Sequence, residues 1–388
     1  MIFSIRLLLI DLPLIMVSLY LLISTAFATL YFSYPDNSSI TKMMIVTPIV
    51  LFGIIGINYF LYKLSQKHGT DKAISILASS IVASSILPIF IGFIQVPGEL
   101  LGLHEVNQVI TSIFSYRYTP GRIHLLSGEP SWAARYILFV IVISFFVNAR
   151  SIGHIRAALY VLLFFTGSAL GFFSGLLLLI AFKLTHSAMT IGAIAKSSFV
   201  LFSLLLAFVN YDILLSFSPY AIDKIDRVFL LLSNLSLEHI MTIASIDGSV
   251  LARIVNPIIS IDLALSYPFG VGGESFRYWV LEKIQQYGYA GSSSDEYILG
   301  SGSTPKLLIA KIAVEHGLLF LIALSVLFAR LYNGMKTPRL KFLLLSVPIM
   351  TVSDDSYLFY GLILPICIAF LAYRNRRAIL VQKNNFVF

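Results

Sequence analysis

Two stretches of this 388-residue chain carry residue types that could bind a charged group and transfer it. In the first, Arg122-Ile123-His124-Leu125-Leu126-Ser127-Gly128-Glu129-Pro130-Ser131-Trp132 leads into an apolar segment that carries Arg135. Arg122 supplies a planar donor fork that stays charged, and Glu129 supplies a carboxylate seven positions later. Pro130-Ser131 suits the first turn of a helix, where unpaired backbone N–H groups attract an anion. The same residues also fit plain anchoring, with Arg122 on lipid headgroups, Glu129 as a helix cap and Trp132 in an aromatic belt.

The second stretch holds Asp247-Gly248-Ser249, then Arg253, then Tyr267-Pro268-Phe269-Gly270-Val271-Gly272-Gly273-Glu274. Arg253 is another fork suited to phosphate or carboxylate, and Gly270 and Gly272 would let backbone N–H groups approach an anion closely. A solvated arginine before an ordinary turn is the plain alternative. Glu274 and Arg277 rank below these as sugar or phosphate contacts, and Asn256-Pro257 and Ser266-Tyr267-Pro268 read as loop punctuation.

These stretches must be positioned by a membrane bundle, because 58% of the chain is hydrophobic and only 12% is charged. The fold class expected is all-α, a polytopic transmembrane bundle forming one integral membrane domain over 1–388. Apolar runs extend to about residue 31, over 43 to 63 and 73 to 95, from Trp132 to near 148, then over 157 to 182. Others cover 197 to 210, 306 to 330, 340 to 353 and 356 to 373. Residues 157 to 182 are long for one helix and contain Thr166-Gly167-Ser168; reading them as a hairpin keeps the later basic clusters on the cytoplasmic side. About ten spans follow, with both termini inside and two external segments, 96–131 and 211–305. Within the second of these, Tyr220 to His239 is expected to form a surface helix.

The net charge of +8 lies in short segments between apolar runs, so it reports orientation and not nucleic-acid binding. Asp11 is expected to pair inside the bundle. The single cysteine, Cys367, excludes an intramolecular disulfide or a cysteine-cluster metal site. No metalloprotease, P-loop or EF-hand spacing occurs.

The order of these features resembles the bacterial O-antigen polymerase (Wzy-type) and O-antigen ligase superfamily over about residues 117 to 320. The resemblance rests on Arg-x6-Glu-Pro-Ser-Trp opening a helix, the Gly167-Ser168 pair, Asp-Gly-Ser-x3-Arg, Pro-Phe-Gly-Val-Gly, and Glu315-His316-Gly317-Leu318 beginning a helix. It implies a GT-C-like inner-membrane glycosyltransferase without metal or other cofactor. Such an enzyme would move a growing glycan from undecaprenyl pyrophosphate onto a lipid-linked repeat at the periplasmic face, alongside a chain-length regulator as partner.

The resemblance assigns pyrophosphate binding to Arg122 and Arg253, the latter followed by Gly270 at a spacing one residue longer than the family's Arg-x15-Gly. Glu129 would be the base or the group that orients Arg122, and Arg135 could help to hold the pyrophosphate. Ligases of this superfamily carry a His-Asn pair where this chain reads Ser303-Thr304-Pro305-Lys306, which favours a polymerase. A ligase, or a flippase with charges near mid-membrane, are the alternatives.

Overall fold

The computed structural model describes residues 12–34, 38–113, 118–127, 129–149, 151–186, 236–246, 250–286, 304–353 and 363–374, and every regular element among them is a helix. Asp11, the run at 197–210, most of Tyr220 to His239, Asp247-Gly248-Ser249 and the Gly291 to Ser294 cluster lie outside the described residues. The contacts divide the chain into two compact units. One comprises residues 1–70, 231–335 and 351–388, the other 71–230 and 336–350.

The first unit opens with α1 (Leu12–Phe32) packed along α2 (Ser38–His68). The helix expected over 43 to 63 is therefore longer, and Lys63, Lys67 and His68 belong to its last turns, where cations suit the carbonyl end. The segment expected as a large loop is mostly helical in its described parts. It contains α9 (Leu237–Ile246), a π-helical turn at Leu251–Val255, α10 (Asn256–Ser266) and α11 (Arg277–Gln286). Asn256-Pro257 thus lies inside continuous helix and does not punctuate a loop. Pro257 is tolerated because it occupies the first turn after the π segment.

The run expected over 306 to 330 breaks at Gly317 into α12 (Leu308–His316) and α13 (Leu318–Gly334), so Glu315-His316 ends one helix instead of beginning another. A 3-10 turn at Thr351–Ser353 and a last helix, Ile363–Arg374, complete this unit. Its core gathers Leu251, Val255, Ile259, Leu263, Val271, Phe276, Val280 and Val314, all nearly inaccessible.

The second unit runs through α3 (Thr70–Ser84), α4 (Ile86–Leu100), α5 (His104–Ser112), α6 (Pro130–Ser144), α7 (Ile152–Phe165) and α8 (Ala169–His186), and closes with α14 (Pro338–Met350). The run expected over 73 to 95 is interrupted at Ser85. Pro88 cannot donate in the next turn, and the Tyr136 hydroxyl holds the break by donating to Ser85 Oγ at 2.8 Å. The segment 96–131, expected to be external, is partly helical, because α4 runs on to Leu100 and α5 occupies its middle.

Residues 157 to 182 lie in two helices, α7 and α8, that turn at Thr166-Gly167-Ser168 and pack against each other. Gly175 makes that packing close, and Gly171 does the same for α8 against α6. A Cβ on Gly175 would stand 2.7 Å from Leu163, and one on Gly171 would stand 2.7 Å from the Ala134 Cβ.

Thr41–His68 and Thr70–Leu100 are long and apolar enough to cross a membrane. Large apolar side chains cover their outer faces, with Phe52 71% and Phe90 60% exposed. Burial in a protein core therefore does not account for their hydrophobicity.

Candidate functional site

Arg122, Glu129 and Arg135 all belong to the second unit, where a buried carboxylate organises the loop that carries them. Glu99, in the last turn of α4, has a side chain only 6% exposed and accepts four donors. The Tyr118 hydroxyl reaches Oε1 at 2.5 Å, Asn107 Nδ2 reaches Oε1 at 2.7 Å, the Gly121 amide reaches Oε2 at 2.6 Å, and His104 Nδ1 lies 3.0 Å from Oε2. One turn earlier, Gln95 acts as a splint. Its Oε1 accepts the His124 and Leu125 amides at 3.1 and 2.8 Å, while its Nε2 donates to the Leu125 carbonyl at 3.2 Å. Leu125 is thereby held at φ 53, a conformation that a branched side chain adopts only when its surroundings impose it.

The loop so fixed presents Arg122 to the turn between α7 and α8. Its Nε donates to the Thr166 carbonyl at 2.7 Å, and the neighbouring Ile123 amide donates to Phe165 O at 3.1 Å. Gly167, at φ +59, leaves room for the arginine stem, since a Cβ there would sit 3.1 to 3.2 Å from Arg122 atoms. Anchoring Nε fixes the plane of the guanidinium, which lets the fork meet an anion without losing rotamer freedom. Arg122 is 8% exposed.

Downstream, Ser127 Oγ donates to the carbonyls of His124 and Glu129, both at 2.7 Å, which closes the loop onto the start of α6. Glu129 occupies the cap position, but its carboxylate makes no cap hydrogen bond; it accepts the Ser131 hydroxyl at 3.2 Å. Arg135, one turn further on, has Nε 3.4 Å from the Ser131 carbonyl, and Trp132 is 52% exposed. A planar cation, a carboxylate and a helix start are thus arranged around one short loop, and together they can take an anion and orient a hydroxyl.

His124 ties this loop to its environment electrostatically. It is 1% exposed, and its Nε2 accepts the Thr119 amide at 3.0 Å, which places the ring proton on Nδ1. Burial pushes its pKa below the ordinary histidine value, and the Arg122 charge adds to this; the Thr119 carbonyl, 3.4 Å from Nε2, and the carboxylates Glu99 and Glu129 oppose it. The neutral ring is the folded form, so its contribution is complete above the ordinary value of about 6.5 and is lost as pH falls towards the depressed one. Hydrogen exchange of residues 118–127 is expected to accelerate as pH drops below about 6.5, after correction for intrinsic rates. His124→Gln, which keeps an acceptor but does not titrate there, should flatten that dependence; an unchanged slope in the variant would reject His124 as its source. The Tyr118 phenol is pushed well up by burial and then by Glu99, so it remains a donor.

The remaining candidates belong to the first unit. Arg253 lies inside the π-helical turn and is partly buried, not on a solvated loop. Gly270 and Gly272 have φ +87 and +95, and their turn is sewn to the end of α12 by Val271 N–H to Val314 O at 2.8 Å and Gly272 N–H to Glu315 O at 2.7 Å. A Cβ on Gly270 would collide with the Glu315 carbonyl, and one on Gly317, at φ +91, with the Pro268 carbonyl. The amides of Val271 and Gly272 are thus used internally, so the turn is a clasp between two segments and not an open anion cradle. Gly317→Ala and Gly270→Ala are each expected to cost about 3 kcal/mol or more, from backbone strain and backbone clash together. Thermal unfolding checks this, and a loss below about 1 kcal/mol would contradict the clasp.

Beside the turn, Glu274 adopts φ 59 and pairs with Lys311 Nζ at 2.5 Å and Lys42 Nζ at 3.6 Å. Arg277 Nη2 donates to the Tyr278 hydroxyl at 2.6 Å, and Tyr278 stacks on Tyr34, whose hydroxyl donates to the Val271 carbonyl at 2.6 Å. His316 is fully buried, with Nδ1 2.8 Å from Ser24 Oγ. The structure therefore brings Arg122, Glu129 and Arg135 together in one unit, and Gly270, Gly272, Glu274 and Arg277 together around one turn in the other.

Sequence reasoning missed Glu99, Gln95 and Lys311, each a polar residue inside an apolar helix. Their signal was that placement itself, since a polar group in such a helix needs a partner. Among the described residues, no cluster of three or more His, Cys, Asp or Glu side chains could hold a metal. No protein-family description, curated protein or solved structure matches this chain.

Proposed function

We propose that this chain is a polysaccharide polymerase of the inner membrane, a GT-C-like protein of about ten spans that elongates glycans carried on undecaprenyl pyrophosphate at the periplasmic face. The observation that carries the reading is the fixed Arg122 fork, held by the Thr166 carbonyl beside the Glu129–Pro130 start of α6. In the transfer, the C1–O bond to the pyrophosphate breaks and a C1–O bond to the acceptor hydroxyl forms. The pyrophosphate leaves with the bonding pair, and the hydroxyl proton passes to a base. Leaving-group charge rises during this step, and a preoriented arginine stabilises it while remaining protonated.

Glu129 is the base for the acceptor hydroxyl or the group that positions Arg122, Arg135 a further phosphate contact, and Arg253 a second pyrophosphate ligand. In the first unit, Glu274 and Arg277 are lower-ranked sugar or phosphate contacts, and the Gly270–Gly272 turn holds the end of α12. A chain-length regulator is the expected protein partner, and the lipid-linked oligosaccharide the substrate.

The strain test is the ladder of surface polysaccharide after deletion of this protein. A lipid core bearing one repeat and no longer chains is the expected result. Lipid-linked polymer that never reaches the core would indicate a ligase, and repeats trapped on the cytoplasmic leaflet a flippase; either would overturn the polymerase reading.

A further inference from the structure

The end of α6 opposite Glu129 opens on a cleft of about 430 Å³ within the second unit. Fifteen helical residues separate the two ends, a distance of roughly 22 Å. Asp71, Ile74, Phe146, Asn148, Arg339 and Leu340 line the cleft. They come from the starts of α3 and α14 and from the chain just beyond α6.

Asp71 and Arg339 carry opposite charges on one cavity, yet they form no ion pair with each other. Among the described residues Arg339 Nη1 donates to the Asn148 side chain at 3.1 Å, which uses one of its five donors. Asp71 lies in the first turn of α3, and His186 lines the same cleft. A second guanidinium, Arg156, reaches the same end of α6, with Nε 3.0 Å from Ser144 Oγ and Nη2 3.0 Å from the Ser144 carbonyl. A carboxylate and a guanidinium that line one cleft together with apolar side chains match a ligand that carries both charges next to a hydrocarbon chain.

We propose that this cleft binds the phosphoethanolamine headgroup of a membrane lipid. Its phosphate lies against Arg339 and its ammonium against Asp71, with acyl chains running over Ile74, Phe146 and Leu340. A purely anionic headgroup would satisfy Arg339 but meet Asp71 with like charge. A choline headgroup would reach Asp71 without an N–H to donate. The inference rests on the membrane reading and is independent of the polymerase chemistry.

Native mass spectrometry of the delipidated full-length protein, titrated with phosphatidylethanolamine, phosphatidylglycerol and phosphatidylcholine of matched chains, tests it. Phosphatidylethanolamine should be retained roughly two- to fivefold over the other two, the range that exposed charge pairs supply. Asp71→Asn should abolish that preference, Asp71→Glu should restore it, and Arg339→Gln should weaken retention of all three lipids. Excess phosphoethanolamine without acyl chains should compete for the site. Equal retention by the unaltered protein, a preference that survives Asp71→Asn, or no competition by the free headgroup would each overturn the proposal. Polymer synthesis is a separate readout, so failure of one reading leaves the other standing.

Discussion

Arg122→Ala is expected to lower the rate of polymer formation by about 10²- to 10³-fold, the scale on which single preorganised charge-stabilising donors contribute. The structure explains why a lysine should not substitute. The Nε that meets Thr166 O is part of the fork, so Arg122→Lys loses the anchor and leaves a mobile point charge. Lysine should recover no more than about a tenth of the lost rate by that argument. Only about 1 kcal/mol of stability depends on the Thr166 hydrogen bond, so both variants should fold. Initial rates of chain elongation by the purified protein provide the measurement. A lysine variant as fast as the original would show that net charge, not the oriented plane, is what matters.

Lys311→Met should be the most destabilising polar substitution in the first unit, at about 3 kcal/mol. The Lys311 side chain is 4% exposed and its ammonium contacts Glu274. Removing one member of a buried pair typically costs about 3–5 kcal/mol because the other charge is left without compensation. The low end applies here, since Glu274 is 19% exposed and keeps Lys42 at 3.6 Å. Glu274→Gln in the Lys311→Met background should restore part of the loss, as the stranded carboxylate is then gone. Denaturant or thermal unfolding of the four-protein cycle gives the coupling directly; additive losses would mean that the pair contributes no coupling energy.

The clasp between Gly270-Val271-Gly272 and the end of α12 shows what a linear reading can and cannot supply. The Gly270 to Gly273 cluster stood out from residue type alone, because φ near +90 restricts the choice of residue, whereas Glu315-His316-Gly317 stood out only through the family resemblance. That the two segments are hydrogen-bonded partners depends on a contact 43 positions apart in the chain, which no local pattern encodes. The same holds for Arg122. Its chemistry and the helix start at Pro130 follow from composition and spacing, whereas its anchor, Thr166 O, is set by how α7 and α8 turn.

Apolar periodicity located the helices, but it failed where breaks are made by backbone chemistry inside an apolar run. Ser85 and Gly317 each split one expected helix into two. It also failed in the segment after residue 236, where α9, α10 and α11 are short and amphipathic signals were masked by glycine and serine clusters. The hairpin of residues 157 to 182 was the converse case. There the basic residues on either side decided between one helix and two, because charge placement follows the membrane and not the local conformation.

The most direct test of the central claim is reconstitution of the purified protein with synthetic undecaprenyl-pyrophosphate-linked repeat units as sole substrate. The account predicts glycan chains of more than one repeat, with one undecaprenyl pyrophosphate released for each new glycosidic bond, and a loss of both products in Arg122→Ala. Intact, unextended repeats in a well-folded protein, or elongation that Arg122→Ala leaves unchanged, would contradict it.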